Sequence, residues 1–333
     1  MVLFPISKLA SPLGLASLLA LAGCSALEVK LGSRISLAKT PVVSIQVRQA
    51  KDSGIAPGEK SSLVAALTSA DGKTLLTEGK GKGKVLWKDL SLTASVVSAS
   101  KSGSVSLPKD PRLSDGQMGH VTVTVPSHPG LRADLDIPLR YDYGFVASFS
   151  GSSGLSGLSG SSGADGMSGS TGSSDPDHPS AGGNGTNGSD GADGGNGGDG
   201  SNGPPVEVRV ALRAGSHPLL QVVVAPGNRE GQYFLVDPYG GSLTVTSYGG
   251  SGGTGGKGGS GGRGGSGGIG TPNGSSGRDG LSGHDGRAGS DGRGGSITVI
   301  YDLQAKPFLN AIVLNSRGGP SPKFLEDKVG PLW

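Results

Sequence analysis

Five histidines, His120, His128, His178, His217 and His284, are the first residues to ask for chemistry. They are scattered, and three of them stand directly before a proline in expected loops. None has the spacing of metal ligands. A general base also needs a partner within hydrogen-bonding reach, and the sequence proposes none. The expectation is therefore no catalytic residue, no metal site, no cofactor and no enzyme. Acidic side chains offer a second possibility. Asp190, Asp193 and Asp199 share a period-three row with Asn184, Asn187, Asn196 and Asn202. Such a row could bind cations weakly, form a solvated edge, or pair with the arginines of residues 278–293.

That row belongs to a larger pattern. Of 333 residues, 65 are glycine, and these concentrate in two blocks, 151–203 and 249–295. In the first, glycine recurs at every third position from Gly151 to Gly172, is interrupted by "SSDPDHPSA", and resumes from Gly182 to Gly203. In the second it runs from Gly249 to Gly270, breaks at "TPN", and resumes from Gly274 to Gly295. Each of these four runs holds eight period-three glycines. A disordered linker has no reason to keep count, so the equal lengths predict runs lying side by side.

Period three is that of the polyproline-II helix, which has no internal hydrogen bonds. Its N–H and C=O groups must then find neighbours or water. A glycine face admits a neighbouring backbone that can supply them. Run 3, Gly249–Gly270, carries glycine on two of its three faces and is expected at the bundle centre. The predicted core is Gly249, Gly252, Gly255, Gly256, Gly258, Gly259, Gly261 and Gly262. The remaining faces segregate by chemistry. Leu155, Leu158, Ala164 and Met167 share a ridge in run 1, and run 2 has a small-residue ridge beside its Asn/Asp row.

Outside the blocks the chain alternates apolar and polar residues like short strands. Residues 27–140 hold about seven such segments, including "VVSIQVR" (42–48), a hairpin signal at Asp71-Gly72, and "GHVTVTVP" (119–126). The segment "KGKGK" (80–84) is expected at a solvated hairpin tip, although it could touch an anionic surface polymer. Residues 206–226, 231–248, 296–304 and 308–316 also alternate as strands. The two glycine hairpins are expected as long insertions in one sheet. The net charge of +3 and the lack of RNA-binding, zinc-finger or helix-turn-helix signatures exclude an argument for nucleic acid.

The first residues have the layout of a signal peptide: Lys8, then an apolar run ending in Leu21-Ala22-Gly23-Cys24. These four residues resemble the bacterial lipobox. The resemblance implies cleavage before Cys24 and a diacylglyceryl thioether on it. Ser25, where inner-membrane retention uses Asp, implies the outer membrane, facing the periplasm or the cell surface. Several acyl chains on one residue anchor stably, whereas one binds marginally. Cys24 is the single cysteine, so no disulfide is expected. No other apolar run approaches 18 residues, so no span is predicted.

"GIAPGEKSSLVAALTSADGKTL", "VLWKDLS" and "GHVTVTV" resemble a bacterial Ig-like domain, which implies a β-sandwich acting as a spacer. The glycine blocks resemble collagen through Gly-X-Y, but no X or Y position carries proline. They are more similar to the glycine-rich bundles of snow-flea antifreeze proteins and phage tail-fibre tips, where antiparallel helices pack within one chain. The Asp-Gly repeats are also similar to the calcium-binding nonapeptide, but the period is three and its apolar position is missing.

The expected organisation is all-β: a signal peptide at 1–23, an anchor and Ig-like sandwich at 24–140, and a β domain at 141–333 projecting a four-helix polyproline-II/polyglycine-II bundle. The expected role is that of an anchored lipoprotein doing structural or adhesive work. The alternative is glycan or ice binding on the bundle surface. Expected partners are the membrane through Cys24 and a surface polysaccharide or another surface protein. No nucleic acid is expected, and the chain is expected to be a monomer. A reversal at "TPN" is also expected to bring Ile269 near Leu281.

Overall fold

The computed structural model describes Val29 and residues 32–51 and 54–333. Cys24 and the apolar leader lie outside the described residues. The chain is all-β, with sixteen strands and short 3-10 turns among those residues. It divides into two compact units at Tyr141/Asp142.

The first unit contains β1 (Val42–Gln49), β2 (Lys60–Ser69), β3 (Thr74–Leu76), β4 (Ser91–Ser95), β5 (Ser98–Ala99), β6 (Ser104–Ser106), β7 (Gly119–Thr124) and β8 (Arg132–Ile137). One sheet has the order β1-β2-β6-β5, with β3 also on β2, and the other is β4-β7-β8. Named pairings in both are antiparallel. Strand β7 shows why: its sequence alternates, and Val121 and Val123 are fully buried while Thr122 is not. Such alternation places every second side chain on one face. Leu37, Leu63, Leu67, Trp87, Val105, Val121, Val123 and Ile137 form one core cluster. Gly103 lies against the Trp87 indole, where an added Cβ would sit 1.9 Å from the ring. The Asp71-Gly72 turn joins β2 to β3, with Gly72 at φ +82°. Lys73 beside Asp71 holds that carboxyl down to about 2, and Ser69 reinforces the effect.

The second unit contains β9 (Gly144–Ser150), β10 (Val206–Arg213), β11 (Leu219–Pro226), β12 (Gln232–Val236), β13 (Ser242–Tyr248), β14 (Ile297–Tyr301), β15 (Ile312–Asn315) and β16 (Lys323–Glu326). Its sheets are β12-β11-β10-β14-β16 and β15-β13-β9. Val208, Val222, Leu235, Leu243, Val245 and Val299 are fully buried. Phe145 of β9 meets Phe234 of β12 at 6.0 Å between ring centroids.

Two expectations need correction here. Residues 308–316 are not one strand. A 3-10 segment occupies Leu303–Ala311, capped by the Asp302 side chain on the Gln304 N–H, and β15 starts only at Ile312. Pro307 lacks the N–H that a ladder requires. The glycine hairpins are also not insertions in one sheet. The first leaves β9 and returns to β10, and the second leaves β13 and returns to β14. Strands β9 and β13 pair in parallel in one sheet, and β10 and β14 pair in parallel in the other. Each hairpin therefore crosses from sheet to sheet.

Candidate functional site

The four glycine runs carry neither helix nor strand, yet they are tied together along their whole length. Run 1 glycines donate to run 3 carbonyls, from Gly151 to Tyr248 through Gly172 to Ile269, at 2.7–2.9 Å. Run 2 glycines donate in the same parallel sense to run 4, from Gly182 to Pro272 through Gly203 to Arg293. The other contacts are antiparallel. Run 2 donates to run 1 (Thr186 to Met167, Gly198 to Leu155), run 3 to run 2 (Gly259 to Ala192), and run 4 to run 3 (Gly283 to Gly259). Runs 2 and 3 thus each bond all three neighbours, while runs 1 and 4 flank them. The backbone groups that this extended chain cannot pair internally are paired between runs.

The strands set the alignment. In the β9–β13 pair, Ser150 faces Tyr248, an offset of 98. The same offset relates Ser153 to Ser251, Ser156 to Thr254 and Ser162 to Ser260 in the bundle. Val206 faces Ile297 in the β10–β14 pair, an offset of 91 that also relates run 2 side chains to run 4 backbone. Each bundle register is a sheet register carried outward.

The predicted core glycines fall into two sets. A Cβ added at Gly249, Gly252, Gly255, Gly258 or Gly261 would lie 1.9–2.1 Å from a run 4 carbonyl oxygen. One added at Gly256, Gly259 or Gly262 would lie 1.9–2.0 Å from the carbonyl oxygen of Leu158, Ser161 or Ala164 in run 1. Both faces of run 3 are therefore in backbone contact. Run 2 shares the central place, which its single complete glycine face did not announce. Its small ridge supplies the missing access: Gly183, Ala192, Gly195 and Gly198 all donate backbone bonds to run 1.

The Asn/Asp row of run 2 has a definite task. Asn184, Asn187, Asp190, Asp193, Asn196, Asp199 and Asn202 each accept the backbone N–H of a run 4 residue, Ser275 through Arg293, at 2.6–2.8 Å. Run 4 does the same for run 3: Asp291, Asp285 and Asp279 accept from Gly252, Gly258 and Gly264. Ser201, Ser189 and Thr186 accept from Ser152, Ala164 and Met167 in run 1. These rows cap backbone donors that the ladders leave over. The run 2 row is thus a solvated edge, exposed at every position, that also carries hydrogen bonds to run 4.

Ile269 and Leu281 do not meet. The three-residue reversal sets Gly274 on Gly268 and Gly280 on Gly262, so Leu281 lies alongside Gly261, well back from the tip. Both residues are exposed.

Two histidines have acidic partners that the sequence did not reveal, and the His128 Nε2 accepts the Val42 N–H at 3.4 Å. His120 Nδ1 lies 2.7 Å from Asp136 and its Nε2 lies 3.3 Å from Asp134, both across the β7–β8 hairpin. The Asp136 hydrogen bond raises the His120 pKa. Arg132 leads the effects holding Asp134 down to about 2. His217 reaches Asp237 at 2.8 Å. Asp134, Asp136 and His217 are exposed, and His120 and Asp237 are half-buried. No cluster of three or more His, Cys, Asp or Glu residues could hold a metal among the described residues. Among the same residues, no helix is long and apolar enough to cross a membrane. No known family matches the chain, and no curated protein matches it.

Proposed function

We propose that the protein is an exported lipoprotein, anchored at the outer membrane through Cys24, with a structural or adhesive role at the cell surface. The first unit is an Ig-like sandwich, a reading supported by its two antiparallel sheets around one core with Trp87 inside. The second unit is a β domain bearing a polyglycine-II bundle. The observation that carries the functional reading is how this bundle is filled. Its interior is glycine backbone, and every non-glycine side chain within the four runs is exposed. Such a body has no internal place for a reaction. It presents its whole side-chain complement on a stiff scaffold.

Metabolic labelling with a fatty-acid probe tests the anchor. The expected result is a labelled wild-type protein in the membrane fraction, with Cys24→Ser unlabelled and released. An unlabelled wild type that still fractionates with membranes would overturn it.

A second reading, glycan binding on the bundle, is favoured by one feature. Hydroxyls pair between runs 1 and 3 at Ser153–Ser251, Ser156–Thr254 and Ser162–Ser260, at 3.1–3.2 Å. They make a double row whose repeat is about 9 Å at the rise of this helix type. A glycan array separates the two: a reproducible ligand lost on Thr254→Ala/Ser260→Ala supports binding, and a blank array supports the structural role.

A further inference from the structure

The bundle has seven outward ridges, and two of them differ from the rest. Ridges passing through Asp165, Lys257, Arg278, Asp279 and Asp190 each carry formal charge. The X ridge of run 1 (Ser152, Leu155, Leu158, Ser161, Ala164, Met167, Ser170) and the small ridge of run 2 (Gly183 to Ser201 in steps of three) carry none. These two lie side by side, because each small-ridge N–H donates to an X-ridge carbonyl: Gly198 to Leu155, Gly195 to Leu158, Thr186 to Met167. Together they form one uncharged face. Leu155 and Leu158 are 84% exposed on it and Met167 is 78% exposed. A single exposed leucine is ordinary, but three large apolar side chains gathered on one uncharged face mark an interaction surface.

The face has its own counter-shape. Beside Leu155 stands Gly198, and beside Leu158 stands Gly195. Elsewhere the small ridge bears Ser201, Ala192, Ser189 and Thr186, with Gly183 at the tip beside Ser170, so side chains are missing on that ridge next to both leucines. The leucines do not fill the gap themselves, as their exposure shows. The gap also leaves the capping row incomplete. Ser201, Ser189 and Thr186 accept run 1 N–H groups, whereas Gly198 and Gly195 offer no hydroxyl to Leu155 and Leu158.

We propose that this face binds a second copy of the chain, in a parallel two-fold dimer. A two-fold axis running along the bundle between runs 1 and 2 exchanges the two ridges. Leu155 and Leu158 of one copy then sit over Gly198 and Gly195 of the second copy, and the reverse contact forms at the same time. Met167 meets Thr186, and Ala164 meets Ser189. This is the self-complementarity that an isologous interface requires. An antiparallel arrangement with the same overlap would set run 1 on run 1, Leu155 on Met167 and Leu158 on Ala164, and leave Gly195 and Gly198 without a leucine opposite. A face about 60 Å long, from seven triplets at ~3.1 Å per residue, and about 10 Å wide, from chains ~5 Å apart, gives roughly 1,200 Å² over both partners, the lower bound of stable interfaces. The inference rests on the hydrogen-bonded bundle and is independent of the anchor and of any adhesive role.

The full chain carrying Cys24→Ser, which has no other thiol, is the material for the test. Sedimentation equilibrium in mild detergent should give a reversible dimer. Leu155→Asp/Leu158→Asp should be monomeric at the same concentration and melt where the wild type melts when diluted to monomer, because both side chains are exposed and only the contribution of assembly is lost. Gly195→Ser/Gly198→Ser should separate packing from assembly. The added hydroxyls extend the capping row to the Leu155 and Leu158 N–H groups and raise the melting temperature of the monomer, while filling the notches weakens the dimer tenfold or more. The new Cβ atoms would lie 3.2–3.3 Å from the Leu158 and Leu155 nitrogens, a tight but accommodable fit. Chains with Met167→Cys mixed with chains with Thr186→Cys should give a cross-chain disulfide, and Met167→Cys with Ser201→Cys should not. A wild type that stays monomeric overturns the proposal. So does a dimer that survives both aspartates, or equal crosslinking in the two mixtures. A monomer whose leucines are needed to bind a polysaccharide or lipid vesicles overturns it as well, by assigning the face to another occupant.

Discussion

Gly259→Val is expected to abolish the cooperative melting of the second unit, while Ser260→Val, one residue on, leaves it nearly unchanged. The valine Cβ would sit 2.0 Å from the Ser161 carbonyl oxygen and 2.5 Å from its carbon. Both are backbone atoms and cannot swing aside, so runs 1 and 3 must part. The ladder bonds on either side, Gly160 to Lys257 and Gly163 to Ser260, each at 2.8 Å, go first. Gly259 also donates to Ala192 and accepts from Gly283, so runs 2 and 4 are pulled as well. Each bond contributes about 1 kcal/mol net, and a buried donor left without a partner costs about 1–3 kcal/mol. Several lost at once match the whole stability of an ordinary domain, about 5–15 kcal/mol. Ser260 points outward and loses only an exposed hydroxyl contact with Ser162 at 3.1 Å. A surface change of that kind stays within about 0.5 kcal/mol. Calorimetry of the full chain decides the matter, with the transition of the first unit as an internal control. Equal effects from the two valines would mean that the runs are not packed as described.

The period-three glycines were enough to find the four runs, their lengths and the doubly glycine-faced run 3. The side-chain rows were equally visible, because a ridge is a property of one run. What joins one ridge to another was not visible. The Asn/Asp row caps run 4 because run 2 lies parallel to run 4 with Asn187 against Arg278. That parallel pairing is fixed by Val206 facing Ile297, a contact between strands 91 residues apart. Local pattern carries no information about it. The same gap misplaced Ile269 and Leu281. Equal run lengths fix the ends only loosely, whereas the bond from Gly274 to Gly268 fixes them to the residue. His120 and Asp136 belong to this class too. Each was plain in the sequence, but only the β7–β8 register brings them together. The expected strand at 308–316 failed for a local reason, since Asp302 and Pro307 favour a capped turn over a ladder.

If sheet register fixes bundle register, deletions should obey a rule that composition alone does not give. Removing Ser161 by itself should destroy the bundle. Beyond that point every run 1 glycine moves one position, and side chains replace glycine against the carbonyls of Ser189, Thr186 and Gly183, now 1.9–2.0 Å from the virtual Cβ positions. Removing the triplet 160–162 keeps the glycine face but slides the outer half of run 1 by one repeat. The hydroxyls of Ser189 and Thr186 then meet the next N–H groups, those of Met167 and Ser170, in place of Ala164 and Met167. The loss falls at the tip, where the outermost bonds, Gly172 to Ile269 and Gly183 to Ser170, no longer form. Bonds of this kind contribute about 1 kcal/mol each, so the bundle should persist but melt lower. Removing facing triplets from all four runs at once, 160–162, 191–193, 258–260 and 282–284, should restore most of that stability. Offsets of 98 and 91 hold on the strand side of the cut, and both turns move inward together. The order of melting temperatures should be wild type, four-triplet deletion, one-triplet deletion, with no transition for the one-residue deletion. A four-triplet variant no more stable than the one-triplet variant would show that the runs do not inherit their alignment from the strands beneath them.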